Sequence, residues 1–154
     1  MPATQDMFTL RRLDWKSIYE DKLENIDNLE IHRMVVMNNF VILAIAHQSC
    51  ILRLRLDSTR DFDVIEISNN PKDSVHEIFL DSTGVHLIVS LKSGNNYYIH
   101  ARSSRPKHIP KLQCLIDSVG FNDSEGSEGN TKSILIGSAT GQIYELRIEK
   151  GQER

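Results

Sequence analysis

A strand-turn-strand unit recurs three times along this chain, most legibly in VHEIFLDSTGVHLIVSL, starting at Val75, and in ILIGSATGQIYELRI, starting at Ile134. Recurrence of one small β unit constrains the fold more than composition does. A unit this short cannot bury its faces alone and must stack on its neighbours. The first unit holds runs rich in Ile, Val, Leu and Phe at 31–37, 40–46, 51–56 and 62–67, each of strand length. The second has runs at 75–80, 85–91 and 96–100 and a weaker one at 112–115, and the third has runs at 118–121, 133–138 and 142–148. Restarts at 31, 75 and 118 lie 44 and 43 residues apart, the period of a four-stranded propeller blade. The sequence therefore predicts an all-β chain, a partial β-propeller of about three four-stranded repeats over residues 31–148.

Turn chemistry points the same way. Asp81-Ser82-Thr83-Gly84 stands between two runs, with Asp and Ser placed to cap local amides and Gly free to take positive φ. One strand later come Lys92-Ser93-Gly94-Asn95-Asn96 in the second unit and Ser138-Ala139-Thr140-Gly141-Gln142 in the third, with His47-Gln48-Ser49 at the equivalent place in the first.

Residues 1–30 are less regular. Residues 8–14 read as a strand, a candidate to complete the last blade and close a ring. Trp15, Ile18, Tyr19, Leu23 and Ile26 fall at helical spacing behind a Ser17-x-x-Glu20 capping box, which predicts a short helix whose stripe packs in the core. Residues 149–154 read as a disordered tail.

Several function classes are disfavoured. The longest strongly apolar run, 40–46, is far short of the roughly 20 residues of a spanning helix, and the N-terminus lacks a basic stretch followed by an apolar one. Cytosol is therefore the expected compartment. Cys50 and Cys114 read as small buried hydrophobes, and two cysteines with six histidines scattered one by one supply no paired zinc-ligand spacing. No nucleophile elbow, phosphate loop or H-E-x-x-H occurs. No catalytic residue, metal, cofactor or small-molecule substrate is expected.

Two charged segments stand out. Arg102, Arg105, Lys107, His108 and Lys111 form a basic stretch broken by Pro106 and Pro110. Clustered cations are drawn to anionic headgroups or acidic protein faces, so Arg102, Arg105, Lys107 and Lys111 are the candidate interaction residues, set against a plain solvated loop. A net charge of −3 and the lack of interleaved aromatics argue against nucleic acid. Residues 122–130, rich in Gly, Ser and acids, read as a mobile loop between two strands, with Ser124 and Ser127 as candidate phosphorylation sites against a plain insertion.

The segment from Val75 to Leu91, then LIDSVGFN and SILIGSATGQIYELRI, resembles the N-terminal β-propeller of the deep orange family, also called Pep-three or vacuolar protein sorting eighteen. The most specific elements are Val75-His76, Phe79-Leu80-Asp81, Thr83-Gly84, His86-Leu87, Ser118-Val119-Gly120, Gly137 and Thr140-Gly141-Gln142-Ile143-Tyr144-Glu145. The resemblance extends upstream through FTLRRLDW and LEIHRMVVMNNFVILAIAHQSCILRLRL in the order of strands and turns.

It implies a core subunit of the tethers that hold endosomes and lysosomes or vacuoles together before fusion. These are the homotypic fusion and vacuole protein sorting complex and its early-endosome counterpart. The implied partners are the other tether subunits and, through them, the membrane. Family members continue into an α-solenoid and a C-terminal RING, for which this chain has no corresponding residues, so the RING's ubiquitin-ligase activity is not implied. Three blades without a closed ring are also expected to self-associate or bind chaperone through uncovered faces. Two other readings compete with the tether: an interaction module in an unrelated cytosolic scaffold, and a propeller hydrolase, which needs polar side chains converging at the blade centre.

Overall fold

The computed structural model describes residues 7–14, 16 and 28–149, and among them the repeats fold into three antiparallel sheets. The first holds β1 (Ile31–Met37), β2 (Phe40–Ile45), β3 (Cys50–Arg55) and β4 (Ser58–Glu66). The second holds β5 (Val75–Leu80), β6 (His86–Leu91), β7 (Asn96–His100) and β8 (Lys107–His108). The third holds β9 (Ile116–Gly120), β10 (Ile134–Ser138) and β11 (Ile143–Leu146). Every sheet is a meander with strands in chain order, and the first strands β1, β5 and β9 of successive sheets lie side by side.

Side-chain alternation along each strand explains the stacking. Ile42, Ala44, Ile51 and Ile65 of the first sheet meet Ile78, Leu80, Leu87, Val89 and Ile99 of the second in one buried cluster. Ile88, on the opposite face of β6, joins Leu112, Ile116, Ile134 and Ile136 in a second cluster shared with the third sheet. Val41, Leu43, Ile45, Cys50, Leu52 and Leu54 form a third buried cluster on the far side of the first sheet, with Leu29 and Phe62 against it. Burying one Ile or Leu side chain is worth about 1.5–3 kcal/mol, so the two inter-sheet clusters hold the stack together.

The turns repeat as expected. The residue after the second strand of each sheet donates its amide to the carbonyl just before the first strand: Ala46 to Glu30 (2.8 Å), Lys92 to Ser74 (2.9 Å) and Ala139 to Leu115 (2.8 Å). Asp81 Oδ1 accepts from the Val85 and His86 amides at 2.9 and 3.0 Å, and Gly84 stands at φ +79°. Gly94 and Gly141 take φ of +91° and +92°, while His47 in the first turn sits at +64° without being glycine.

Two expectations change. The fourth strand of the second sheet is Lys107–His108, paired with Tyr98 and Tyr97, and not residues 112–115. The apolar character of Leu112 reflects burial between sheets, as part of the linker into β9, and not a place in a ladder. Residues 8–14 form no strand, and Phe8 and Leu10 are 82% and 98% exposed. A strand exists only through a partner ladder, and no described strand pairs with this segment. The expected helical stripe of Trp15, Ile18, Tyr19, Leu23 and Ile26 lies outside the described residues, as does the expected tail of residues 149–154 apart from Glu149, which forms a bridge with Asn130.

Candidate interaction surface

The second sheet has two unlike faces, because both of its central strands alternate apolar and polar residues while staying buried. Leu87, Val89, Leu91 and Ile99 face the first sheet. His86, Ser90, Asn96, Tyr98 and His100, paired across β6 and β7, face the other way, and all five are buried. A buried polar side chain must find a partner or destabilise the fold. Here the partners belong to the linker, loop and strand of the third sheet. Ser90 Oγ accepts from the Ile116 amide at 3.1 Å, and Asn96 Nδ2 donates to the carbonyls of Leu112 and Cys114 at 2.8 and 2.9 Å.

The histidines reach the acidic loop. His86 Nε2 lies 2.7 Å from the Ser127 carbonyl and its Nδ1 lies 2.7 Å from the Tyr98 hydroxyl. His100 Nε2 lies 2.8 Å from the Glu128 carbonyl. Burial, reinforced by the Asp81 carboxylate, holds the Tyr98 phenol well above its ordinary pKa, so it stays protonated. Arg102 Nε pairs with Glu128 Oε1 at 2.6 Å, and Ser82 Oγ donates to Asp123 Oδ1 at 2.8 Å. The segment expected to be a mobile loop is thus fastened at four points. Composition reported its lack of apolar surface, but its anchors sit on strands and turns of the second sheet, far away in sequence.

The turn after β7 is gripped from the first sheet as well. Arg53, 8% exposed, donates from Nη1 to the His100 carbonyl at 3.0 Å and from Nη2 to the Ser103 carbonyl at 2.9 Å. Its guanidinium also pairs with Asp63 at 2.9 Å. One polar network therefore runs from Asp63 through Arg53 and the β7 turn to the loop of the third sheet. Sequence reasoning missed it. The available signal was polar residues at period two within strands whose other positions are fully apolar.

The four candidate cations do not form one patch. Arg102 is exposed but paired with Glu128, and Arg105 is exposed two residues beyond Ser103, whose Oγ accepts its amide at 3.1 Å. Lys107 is half-buried within β8, and Lys111 is exposed. Lys107 and Lys111 meet Arg147 along a groove of about 650 Å³ between the second and third sheets, floored by Tyr98, Ile109 and Leu146. The structure thus lines one groove with two of the four, together with Glu149 and with Arg147, itself paired with Glu145 at 3.6 Å, and leaves Arg102 paired with Glu128.

A second charged row runs across the first strands, where Arg33 pairs with Glu77 at 3.0 Å and His76 Nε2 lies 3.5 Å from Asp117. Among the described residues, no three His, Cys, Asp or Glu side chains are grouped to hold a metal ion, and no helix is long and apolar enough to cross a membrane.

Stacked antiparallel meanders of four, four and three strands on a period near 44 residues define the class: this is a run of β-propeller blades. The chain superposes on a chain in the crystal structure of the mitotic checkpoint complex with a TM-score of 0.53 at 13% identity, covering 94% of this chain and 45% of that one, a likeness of fold alone. Residues 7–154 match the Pep3/Vps18/deep orange beta-propeller domain, and the chain belongs to that family. It is 44% identical over 80 residues to a Caenorhabditis elegans vacuolar protein sorting-associated protein 18 homolog, and 30% identical over 124 residues to the Danio rerio homolog. Those alignments cover 51% and 80% of this chain but only 8% and 13% of the relatives. Family membership sets aside the reading of an unrelated scaffold.

Proposed function

We propose that the chain is a non-catalytic scaffold segment of a membrane-tethering subunit acting in endosome-to-lysosome or vacuole trafficking. It works at the cytoplasmic face of the membrane and is held there peripherally by other tether subunits. The observation that carries this reading is membership of a vacuolar protein sorting family over residues 7–154. Its mechanism is positioning. A stack of sheets cross-tied by buried polar groups presents fixed edges and loops, and an assembly of several subunits converts weak contacts into one stable bridge. The exposed cations Arg105 and Lys111, the groove cations Lys107 and Arg147, and the outer face of Arg102 are the contact residues in this reading.

Vesicle flotation tests it. Purified chain is mixed with liposomes carrying endolysosomal lipids, with and without the other tether subunits. The expected result is flotation only when the subunits are present. Flotation of the chain alone would make the membrane contact direct, and no flotation in either case would remove the tethering role.

A further inference from the structure

The two histidines that fasten the acidic loop differ in what a second proton would do. His86 presents Nδ1 to the Tyr98 hydroxyl, which can donate or accept, so either charge state of that ring keeps both contacts. His100 has no such freedom. Its Nε2 faces a carbonyl, that of Glu128, and so must carry the proton, while its Nδ1 faces the Arg102 amide N–H at 3.1 Å and must accept. The closed arrangement fits only the neutral ring in one tautomer.

We propose that His100 is a proton-operated latch: its neutral ring holds the tip of the 122–130 loop against the second sheet, and protonation at Nδ1 releases that tip. The added Nδ1–H would point at the Arg102 N–H, two donors face to face, so the ring must turn away and drop the Glu128 carbonyl. Charged groups near the ring include the Arg102 guanidinium and Arg53, on the His100 carbonyl, with Glu128 and Asp63 each paired with one of those arginines. The His86 ring stands edge-on at 5.8 Å. Because His86 keeps the Ser127 carbonyl, release is centred on Glu128 and Gly129 and opens the small hairpin they cap, closed by Ser127 N–H to Asn130 O (2.7 Å) and Asn130 N–H to Ser127 O (3.2 Å), so that the Asn130 amide loses its partner. The latch thereby changes which acidic side chains the surface beside the basic stretch offers to a partner.

The test is nuclear magnetic resonance on the full chain between pH 7.5 and 5.0, a window that spans the ordinary imidazole range of about 6.5. Ring ¹⁵N shifts report the His100 tautomer and its protonation, and amide exchange of Asn130, corrected for intrinsic rate, reports the tip. We expect an Nε2–H tautomer at pH 7.5, and a fall in Asn130 protection of tenfold or more with the same midpoint as ring protonation. In His100→Gln, whose amide donates and accepts in the same places but does not titrate, protection should stay flat across the window. Three results would each overturn the proposal: a ring that never protonates above pH 5.0, one that protonates with no change at Asn130, or an equal loss of protection in His100→Gln.

Discussion

Replacing Gly84 by Ala measures how tightly the first two sheets are pressed together. Gly84 ends the Asp81 turn at φ +79°, and a Cβ built there would lie 2.5 Å from Phe40 Cδ2 and 3.0 Å from the Met37 carbonyl, both on the first sheet. Gly141 occupies a turn of the third sheet at φ +92°, and a Cβ there would meet nothing within 4 Å. Both substitutions carry the left-handed penalty of about 1–2 kcal/mol, offset by about 0.5 kcal/mol of lost unfolded-chain entropy. Only Gly84→Ala adds overpacking, about 1–3 kcal/mol. The expected cost is therefore about 3 kcal/mol for Gly84→Ala and about 1 kcal/mol for Gly141→Ala. At roughly 2–4 °C per kcal/mol for a chain of this size, calorimetry should find melting lowered by roughly 6–12 °C and 2–4 °C. Shrinking the clashing ring with Phe40→Leu should cost less in the Gly84→Ala background than in the wild type. Equal losses for the two glycine variants would refute the packing of the Asp81 turn on β1 and β2.

Asn96→Asp puts an acceptor-only carboxylate where Nδ2 now donates its two protons to the carbonyls of Leu112 and Cys114, with the Gly94 carbonyl also within 3.2 Å. It should cost about 3 kcal/mol or more in urea unfolding, and a near-neutral result would contradict the clamp. Ser90→Ala leaves the Ile116 amide without its partner; a loss of about 1–3 kcal/mol is expected, with hydrogen exchange rising first in β9, and unchanged exchange there would sink this reading. Burial, then the nearby Glu66 carboxylate, pushes the Cys50 thiol up to about 11. Its folded-state pKa is thus raised, so the stability due to the neutral thiol is present below the ordinary cysteine range and is lost as pH rises through about 11. Burial also raises the half-exposed Cys114 thiol. At pH 8.5 iodoacetamide should label Cys114 well before Cys50, and equal rates would place Cys50 at the surface.

The strands and turns were legible because their signals are local. Val75 to Leu91 carries an alternating run, a turn with Asp at its start and Gly at its end, and a second run, and each piece folds as its own residues dictate. β8 was not legible. Two residues between prolines carry too little pattern to mark a strand, and the neighbouring Leu112 mimics one because burial between sheets asks for the same residue type. Residues 8–14 look like a strand in isolation, yet strand formation depends on a partner that composition does not report. The polar network was hidden for the same reason. His86, His100 and Arg53 acquire meaning only when stacking brings Ser127, Glu128 and Ser103 beside them. The basic stretch was visible as charge, but its division between an ion pair with Glu128 and a groove with Arg147 is set by the third sheet.

The most direct test of the central claim is immunoprecipitation from the source cells with an antibody raised against residues 75–148, identifying the captured proteins by mass spectrometry. A scaffold segment of a tether should bring down endosomal and lysosomal tether subunits in fixed proportion, and reversing Arg105, Lys107 and Lys111 to Glu in a tagged copy should reduce that recovery without lowering expression. Capture of the chain without any tether subunit would contradict the account.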